Sequence, residues 1–146
     1  SNTPNFASIL DEAPSEVDRP KPLPAGTYTC IVAGTPIYDK SSKKGTPFVQ
    51  FTLKPISAES DVDEEDLHEM GGFENKTIRA TYYLTGDAVF RLDEFHQHCG
   101  LDLGKEQSRR QRNDEVVNCE VRAVVKHRTS YDGSQIFAEL ARTLAA

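Results

Sequence analysis

TIRATYYL, residues Thr77 to Leu84, alternates between two kinds of side chain. Successive side chains of a β-strand point to opposite faces, so the alternation separates an apolar face from a polar one. The apolar face consists of Ile78, Ala80, Tyr82 and Leu84. The polar face consists of Thr77, Arg79, Thr81 and Tyr83. The stretch therefore predicts a strand that covers a core on one side and offers a guanidinium and an aromatic ring to a flat, anionic ligand on the other.

Four other segments show the same period of two and are rich in β-branched or aromatic residues. In chain order, the five predicted strands are residues 27–33, 47–54, 77–84, 117–126 and 135–140 or slightly beyond. Pro24-Ala-Gly26 is a turn signal before the first strand, and Gly34 with Pro36 is expected to end it. Tyr131-Asp-Gly133 predicts a hairpin between the last two strands.

One segment has helical periodicity instead. Apolar side chains recur there at spacings of three or four, at Val89, Leu92, Phe95 and Cys99. Thr85-Gly86-Asp87 offers an N-cap, and Gly100 occupies the position that follows a helix C-cap. We therefore predict a helix over residues 88–99, whereas the charged segment 105–115 is expected to be a loop or a frayed helical turn.

The order of these elements predicts an all-β domain with one helix. Five strands with a helix between the third and the fourth is the arrangement of the OB-fold, a small, partly open Greek-key barrel. The domain would span residues 25–146 and follow a proline-dotted N-terminal arm at residues 1–24. The helix would close the bottom of the barrel. A five- or six-stranded sandwich is the alternative.

Charge is distributed unevenly along the chain, whose formal net charge is −6. Residues 59–74 hold eight acidic residues and no lysine or arginine, and they form an insertion between strands two and three. Outside this insertion and residues 1–22, the chain has 11 acidic and 15 basic residues, so the remaining body is mildly basic. We expect the insertion to be disordered and solvated. The alternatives are that it binds a basic partner protein, or that it covers a basic groove as a mimic of DNA.

An OB-fold binds its ligands on strands two and three and in the loops that follow strands one and four. The residues predicted for this site fall into three groups. The strand face has Phe48, Gln50, Arg79 and Tyr83. The first loop has Tyr38, Lys40, Lys43 and Lys44. The last loop and its flanks have Arg122, Lys126, Arg128 and Tyr131. Aromatic rings interleaved with cations are typical of proteins that bind single-stranded nucleic acid, because every base has a π-face and every nucleotide a phosphate.

Neither catalysis nor a cofactor is predicted. The sequence has no phosphate-binding glycine loop, nucleophile elbow or metalloprotease motif, and its clustered carboxylates lie in a segment expected to be flexible, which disfavours a metal-dependent nuclease. His96 and His98 diverge on a helix, so no zinc site is expected. Three widely spaced cysteines without paired spacing fit a reducing compartment. With no signal or membrane-spanning pattern, the expected location is the cytoplasm.

Several short motifs carry a resemblance to a known family. They are Asn5-Phe6 with the acidic stretch after it, Pro24-Ala-Gly-Thr-Tyr28, the Lys/Ser/Gly turn before Phe48-Val-Gln-Phe-Thr-Leu53, Cys99-Gly100-Leu101 and Asn118-Cys-Glu-Val121. Together they resemble small bacteriophage single-stranded-DNA-binding proteins. The resemblance implies an OB-fold protein of phage DNA replication or recombination, acting in the infected bacterial host.

The expected partners are single-stranded DNA and replication or recombination proteins of phage or host, together with further copies of the chain. The sequence departs from the family pattern in two respects. Its acidic insertion is longer and more charged, and Arg142 to Ala146 lack the acidic tail through which many single-strand binders recruit partners. The internal acidic segment is therefore a candidate substitute for that tail. The rival hypothesis is an OB-like protein-interaction module that uses this segment as a DNA mimic.

Overall fold

A computed structural model describes residues 21–104 and 106–146. Most of the predicted N-terminal arm, residues 1–20, lies outside the described residues. The strands are β1 (Gly26–Lys40), β2 (Pro47–Ala58), β3 (Ile78–Tyr83), β4 (Glu120–Thr129) and β5 (Ile136–Leu144). The helices are α1 (Glu64–Glu69), α2 (Val89–His98) and α3 (Arg109–Glu115). No helix within the two described ranges is long and apolar enough to cross a bilayer.

The five strands form one antiparallel sheet in the order β3-β2-β1-β4-β5. This confirms a mostly β chain with five strands. The edge strands β3 and β5 are not hydrogen-bonded to each other over the described residues, so the sheet is not closed into a barrel. A cavity of about 260 Å³ lies between them, lined in part by Thr77–Arg79 and Ala138–Leu140.

Strand β1 is longer than the alternation predicted. It continues through Gly34 and Pro36 to Lys40 because a register shift against β2, between Ala33 and Ile37, absorbs both residues. Gly34 adopts a positive φ of 74°, which glycine tolerates without a steric penalty. The prediction that these residues end the strand was wrong, and Tyr38 and Lys40 therefore lie on a strand rather than in a loop.

The core lies on the inward face of the sheet and is closed at one end by α2. Leu92 and Phe95 of α2 are fully buried. The Phe95 ring packs against Phe51 at 4.7 Å and Tyr82 at 5.1 Å between ring centroids. Truncating such a buried aromatic side chain typically costs about 3 to 5 kcal/mol of stability. The helix was predicted to close the bottom of a barrel; it covers one end of the core of an open sheet with these two residues, whereas Val89 is only partly buried.

The two ends of α2 differ in how well they follow the sequence signals. At the C-terminus, Gly100 N donates to Gln97 O at 3.0 Å and Leu101 N donates to His96 O at 3.1 Å. These two bonds and the φ of 95° at Gly100 make a Schellman motif, in which Gly100 occupies the predicted position after the C-cap. At the N-terminus, a 3-10 turn over Gly86–Ala88 precedes the helix, and no side chain caps either element. The predicted N-cap was wrong there.

Helix α3 occupies the segment that was expected to be a loop or a frayed turn. Ser108 and Gln111 form a capping box: Gln111 N donates to Ser108 Oγ at 3.1 Å, and Ser108 N donates to Gln111 Oε1 at 3.0 Å. The middle of the helix is fastened to the body because Asn113, which is 2% exposed, packs against α2 and β1. These contacts give a short, highly charged helix a stable position.

The acidic segment, residues 59–74, is folded rather than disordered. The Asp61 carboxylate accepts hydrogen bonds from Thr27 N at 2.9 Å and Thr27 Oγ1 at 2.7 Å, which lower the pKa of Asp61. Val62 is 4% exposed and joins the core, and Asp63 caps α1. Phe73 then packs edge-on against Tyr28. The segment is held at both ends, so its exposed carboxylates form an ordered surface.

Candidate nucleic-acid interface

The outward face of β2 and β3 brings together the four residues predicted for it. Phe48 pairs with Tyr83 across the two strands, and their rings meet edge to face at 6.1 Å. Gln50 lies two residues along from Phe48 and Arg79 four from Tyr83, so all four side chains share one face. Tyr83 is 44% exposed and Phe48 is half-buried. We call this set, Phe48, Gln50, Arg79 and Tyr83, the aromatic face.

Strand β1 extends the aromatic face in a way that the sequence pattern did not predict. Ile37 pairs with Gln50 and Asp39 pairs with Phe48, so both side chains lie on the same outward side of the sheet. Ile37 is 52% exposed, which is a large exposure for an aliphatic side chain. Both residues were missed because Gly34 and Pro36 hid the continuation of the strand. The signal in the sequence that could have identified them is the alternation of side chains after Pro36, which places Ile37 and Asp39 on one side of a continued strand.

Tyr38 lies on the opposite face of the β1–β2 hairpin from Phe48 and Tyr83. It pairs with Val49, whose side chain is in the core. Asn113 Nδ2 of α3 donates to the Tyr38 hydroxyl at 3.0 Å, and the Arg110 guanidinium lies over the ring at 5.2 Å from its centroid. The structure therefore does not unite Tyr38 with the aromatic face. Arg110 is a third residue, after Ile37 and Asp39, that the sequence pattern did not assign to the site.

The predicted lysines lie at the end of the same hairpin. Lys40 ends β1, and Lys43 and Lys44 lie in the turn that follows. This turn is closed by hydrogen bonds from Ser41 N to Thr46 O at 2.8 Å and from Gly45 N to Ser41 O at 2.9 Å. All three lysines and Arg79 are exposed, and none of the four forms an ion pair with any residue in ranges 21–104 and 106–146. Their charges are available to an external anion.

The cations of β4 have acidic partners instead. Arg122 lies 3.5 Å from Glu59 and also donates from Nε to Ala145 O at 2.8 Å. Lys126 and Arg128 share the carboxylate of Glu139, at 3.5 Å and 3.0 Å. Taken together, these groups retain about one net positive charge. The sequence could not reveal this because Glu59 and Glu139 are distant from them along the chain.

Tyr131 stands at the tip of the β4–β5 turn and is fully exposed. The turn is ordered by Asp132, whose carboxylate accepts from Ser130 Oγ, Ser134 N and Ser134 Oγ at 2.7, 3.0 and 2.7 Å. These hydrogen bonds lower the pKa of Asp132 to about 2. The predicted hairpin is confirmed, with a positive φ of 76° at Gly133. Its tip presents the Tyr131 ring to solvent.

The two histidines of α2 take part in internal hydrogen bonds. His96 is fully buried, and its Nε2 shares a hydrogen bond with Asn113 Oδ1 at 2.7 Å. Burial lowers the pKa of His96, with the Asn113 hydrogen bond acting in the opposite direction. His98 Nδ1 shares a hydrogen bond with Thr143 Oγ1 at 2.7 Å. These contacts fasten α2 to α3 and to β5.

No protein-family model matches the chain, and no curated protein sequence matches it.

Proposed function

We propose that the chain is a non-enzymatic single-stranded-DNA-binding protein of the OB type, acting in phage DNA replication or recombination. The aromatic face carries this proposal. Phe48 and Tyr83 lie side by side on an outward, partly exposed surface where core packing does not require aromatic rings. Gln50 and Arg79 supply hydrogen-bond donors and a positive charge beside them. Stacking on such rings is tolerant of sequence because all bases present a π-face.

The strand order supports the OB part of the proposal. An OB-type barrel that is opened between its third and fifth strands has the order β3-β2-β1-β4-β5, with a helix between strands three and four. Here α2 follows β3 and buries Leu92 and Phe95 under the sheet. The motifs that resemble phage single-stranded-DNA-binding proteins and fall on described elements lie at the start of β1, on β2, at the end of α2 and at the start of β4. We infer that the gap between β3 and β5 is the seam of the barrel.

One acidic side chain opposes this function. Asp39 lies beside Phe48 on the aromatic face, and its Oδ1 accepts from Lys40 N at 2.8 Å. A carboxylate at this place repels the phosphates of a bound strand. We expect Asp39→Asn to tighten the binding of single-stranded DNA, most strongly at low salt, where screening is weakest. If Asp39→Asn instead binds single-stranded DNA more weakly than the wild type, the phosphates of the bound strand do not lie near Asp39.

Fluorescence anisotropy with labelled dT oligomers tests the proposal. Phe48→Ala and Tyr83→Ala are each expected to lose about 1 to 3 kcal/mol of binding free energy, roughly 5- to 150-fold in affinity. Phe90→Ala is the matched control, since Phe90 is an aromatic residue of α2 that is 62% exposed and lies outside the aromatic face. Absence of binding at low salt, or equal affinity for duplex DNA, would refute the proposal. Thermal unfolding of each variant checks that it is folded.

A protein-interaction module is the second candidate, and the ordered acidic segment favours it. Exposed Glu64 and Glu65 stand in the first turn of a helix that Asp61 and Val62 hold in place, as a rigid mimic of DNA requires. Deleting the segment would damage the core at Val62, so charge removal is the better test. Glu64→Gln with Glu65→Gln should abolish capture of a basic protein partner if the segment is a mimic. The same double variant should keep or gain affinity for single-stranded DNA if the aromatic face is the site.

A further inference from the structure

The far end of the β1–β2 hairpin has a second exposed surface, on the side opposite to the aromatic face. Strand β1 pairs with β4 only over Gly26–Ile31, so its continuation to Lys40 is paired with β2 alone. Helix α3 packs against the inner side of this continuation. The hairpin therefore extends beyond β4, and each of its sides carries a partly exposed aromatic residue, Phe48 on one side and Tyr38 on the other.

Tyr38 is held in one orientation on this inner side. Its hydroxyl accepts from Asn113 Nδ2 at 3.0 Å, while Asn113 Oδ1 shares a hydrogen bond with buried His96 at 2.7 Å. These hydrogen bonds connect α2 to the hairpin through Asn113, yet Tyr38 itself remains 42% exposed. An aromatic side chain that is fixed by its polar end and exposed elsewhere loses little conformational freedom when a ligand stacks on it.

The charges around Tyr38 favour an anionic ligand. The exposed Arg110 guanidinium lies 5.2 Å from the centroid of the ring, and it forms no ion pair with any residue in the described ranges. Its neighbour Arg109, in contrast, is held by Asp93 through two hydrogen bonds of 2.8 and 2.9 Å. Lys40 lies two residues beyond Tyr38 on the same face, about 7 Å along the strand.

We propose that Tyr38, Lys40 and Arg110 form a second contact site for single-stranded nucleic acid, so that a bound strand passes from the aromatic face around the β1–β2 hairpin to α3. This inference rests on the proposed function and specifies the path of its ligand. Bases stack on aromatic rings and on guanidinium planes, and an arginine next to a ring adds a cation–π contribution. The alternative is that Arg110 and Tyr38 only fasten α3 to the hairpin, and that alternative predicts no effect on binding.

A comparison of a short and a long oligomer tests the second site. We choose dT oligomers of about 6 and about 16 nucleotides, which span the range of site sizes of single OB-folds. Arg110→Gln should weaken binding of the long oligomer at least about fivefold and reduce the magnitude of its salt slope by about 0.7, as expected for one lost phosphate contact on a single strand. The short oligomer should bind Arg110→Gln as it binds the wild type, because the aromatic face alone can hold it.

Two further variants and one control complete the test. Tyr38→Phe keeps the ring and should keep most of the affinity, whereas Tyr38→Ser should weaken the long oligomer as Arg110→Gln does. Arg142→Gln is the matched control, because Arg142 is an exposed arginine on the edge strand β5, which β4 separates from β1. It should leave both oligomers unaffected. Circular dichroism spectra and thermal unfolding verify that all variants are folded.

The outcomes separate the second site from the proposed function. If Arg110→Gln and Tyr38→Ser bind the long oligomer like the wild type while Phe48→Ala weakens it, the second site is refuted and the proposed function stands. If the wild type binds neither oligomer at low salt, the proposed function fails and the second site fails with it. If Arg110→Gln weakens both oligomers equally, the strand does not follow the proposed path, and the second site is refuted as a separate contact.

Discussion

Replacing Lys43 and Lys44 together by glutamine is expected to halve the salt dependence of binding to single-stranded DNA. Four predicted cations, Lys40, Lys43, Lys44 and Arg79, are exposed and form no ion pair within the described ranges. Each phosphate neutralised on a single strand contributes about −0.7 to the slope of log K against log salt. On a short oligomer, which does not reach Arg110, these four contacts give a slope of about −2.8, so a fourfold rise in salt weakens binding about 50-fold. The double variant should have a slope of about −1.4 and weaken about 7-fold.

Fluorescence anisotropy with the labelled dT oligomer of about 6 nucleotides, measured at about 50 mM and 200 mM salt, gives both slopes. Arg122→Gln is the matched control. The Arg122 guanidinium is already committed to Glu59 at 3.5 Å and to Ala145 O at 2.8 Å, so its removal should change the slope little. The comparison thus separates cations with an acidic partner from cations without one.

Two results would refute this reasoning. An unchanged slope in the folded Lys43/Lys44 double variant would show that the hairpin turn does not contact the strand. A loss of slope in Arg122→Gln as large as that for each lysine would show that internal ion pairs do not decide which cations bind phosphate. A wild-type slope near −4.9, the value for all seven predicted cations, would lead to the same conclusion.

Three further predictions concern the stability of the fold. Gly26→Ala should lower the free energy of unfolding by at least about 2 kcal/mol, since a Cβ there would lie 2.5 Å from Val62 Cγ2 and φ is 137°. Urea unfolding measures this loss, and a loss below 0.5 kcal/mol, roughly the scatter for surface changes, would contradict it. Asp61→Asn should lower the melting temperature at neutral pH, because Thr27 holds the pKa of Asp61 below its ordinary 3.8. That difference should shrink as the pH falls through the lowered pKa, and a difference that persists at acid pH would exclude this origin. The lowered pKa of His96 predicts stability that is full above about pH 6.5 and declines below it, since the unfolded chain takes up the proton first. His96→Gln should flatten this decline in urea titrations between about pH 7 and pH 5, and an equally steep decline would assign it to other groups.

Local alternation in the sequence determined the five strands and the composition of the aromatic face. Because side chains alternate strictly along a strand, Phe48 with Gln50 and Arg79 with Tyr83 could be assigned to common faces without a structure. The helix end at Gly100 and the turn at Gly133 were equally readable, since a positive φ favours glycine at both places. Each of these features depends on residues that are neighbours along the chain.

Tertiary structure decided the features that depend on partners distant in sequence. Because β1 pairs with β2 beyond Gly34 and Pro36, Ile37 lies on the aromatic face and Tyr38 lies on the opposite side of the sheet. Val62, buried against Gly26, ordered an acidic segment whose composition alone predicts disorder. Glu139 forms ion pairs with Lys126 and Arg128, two cations of β4 that the sequence pattern had assigned to ligand binding. Alternation tells which side of a strand a residue occupies, but only the folded chain brings a distant carboxylate, helix or strand against it.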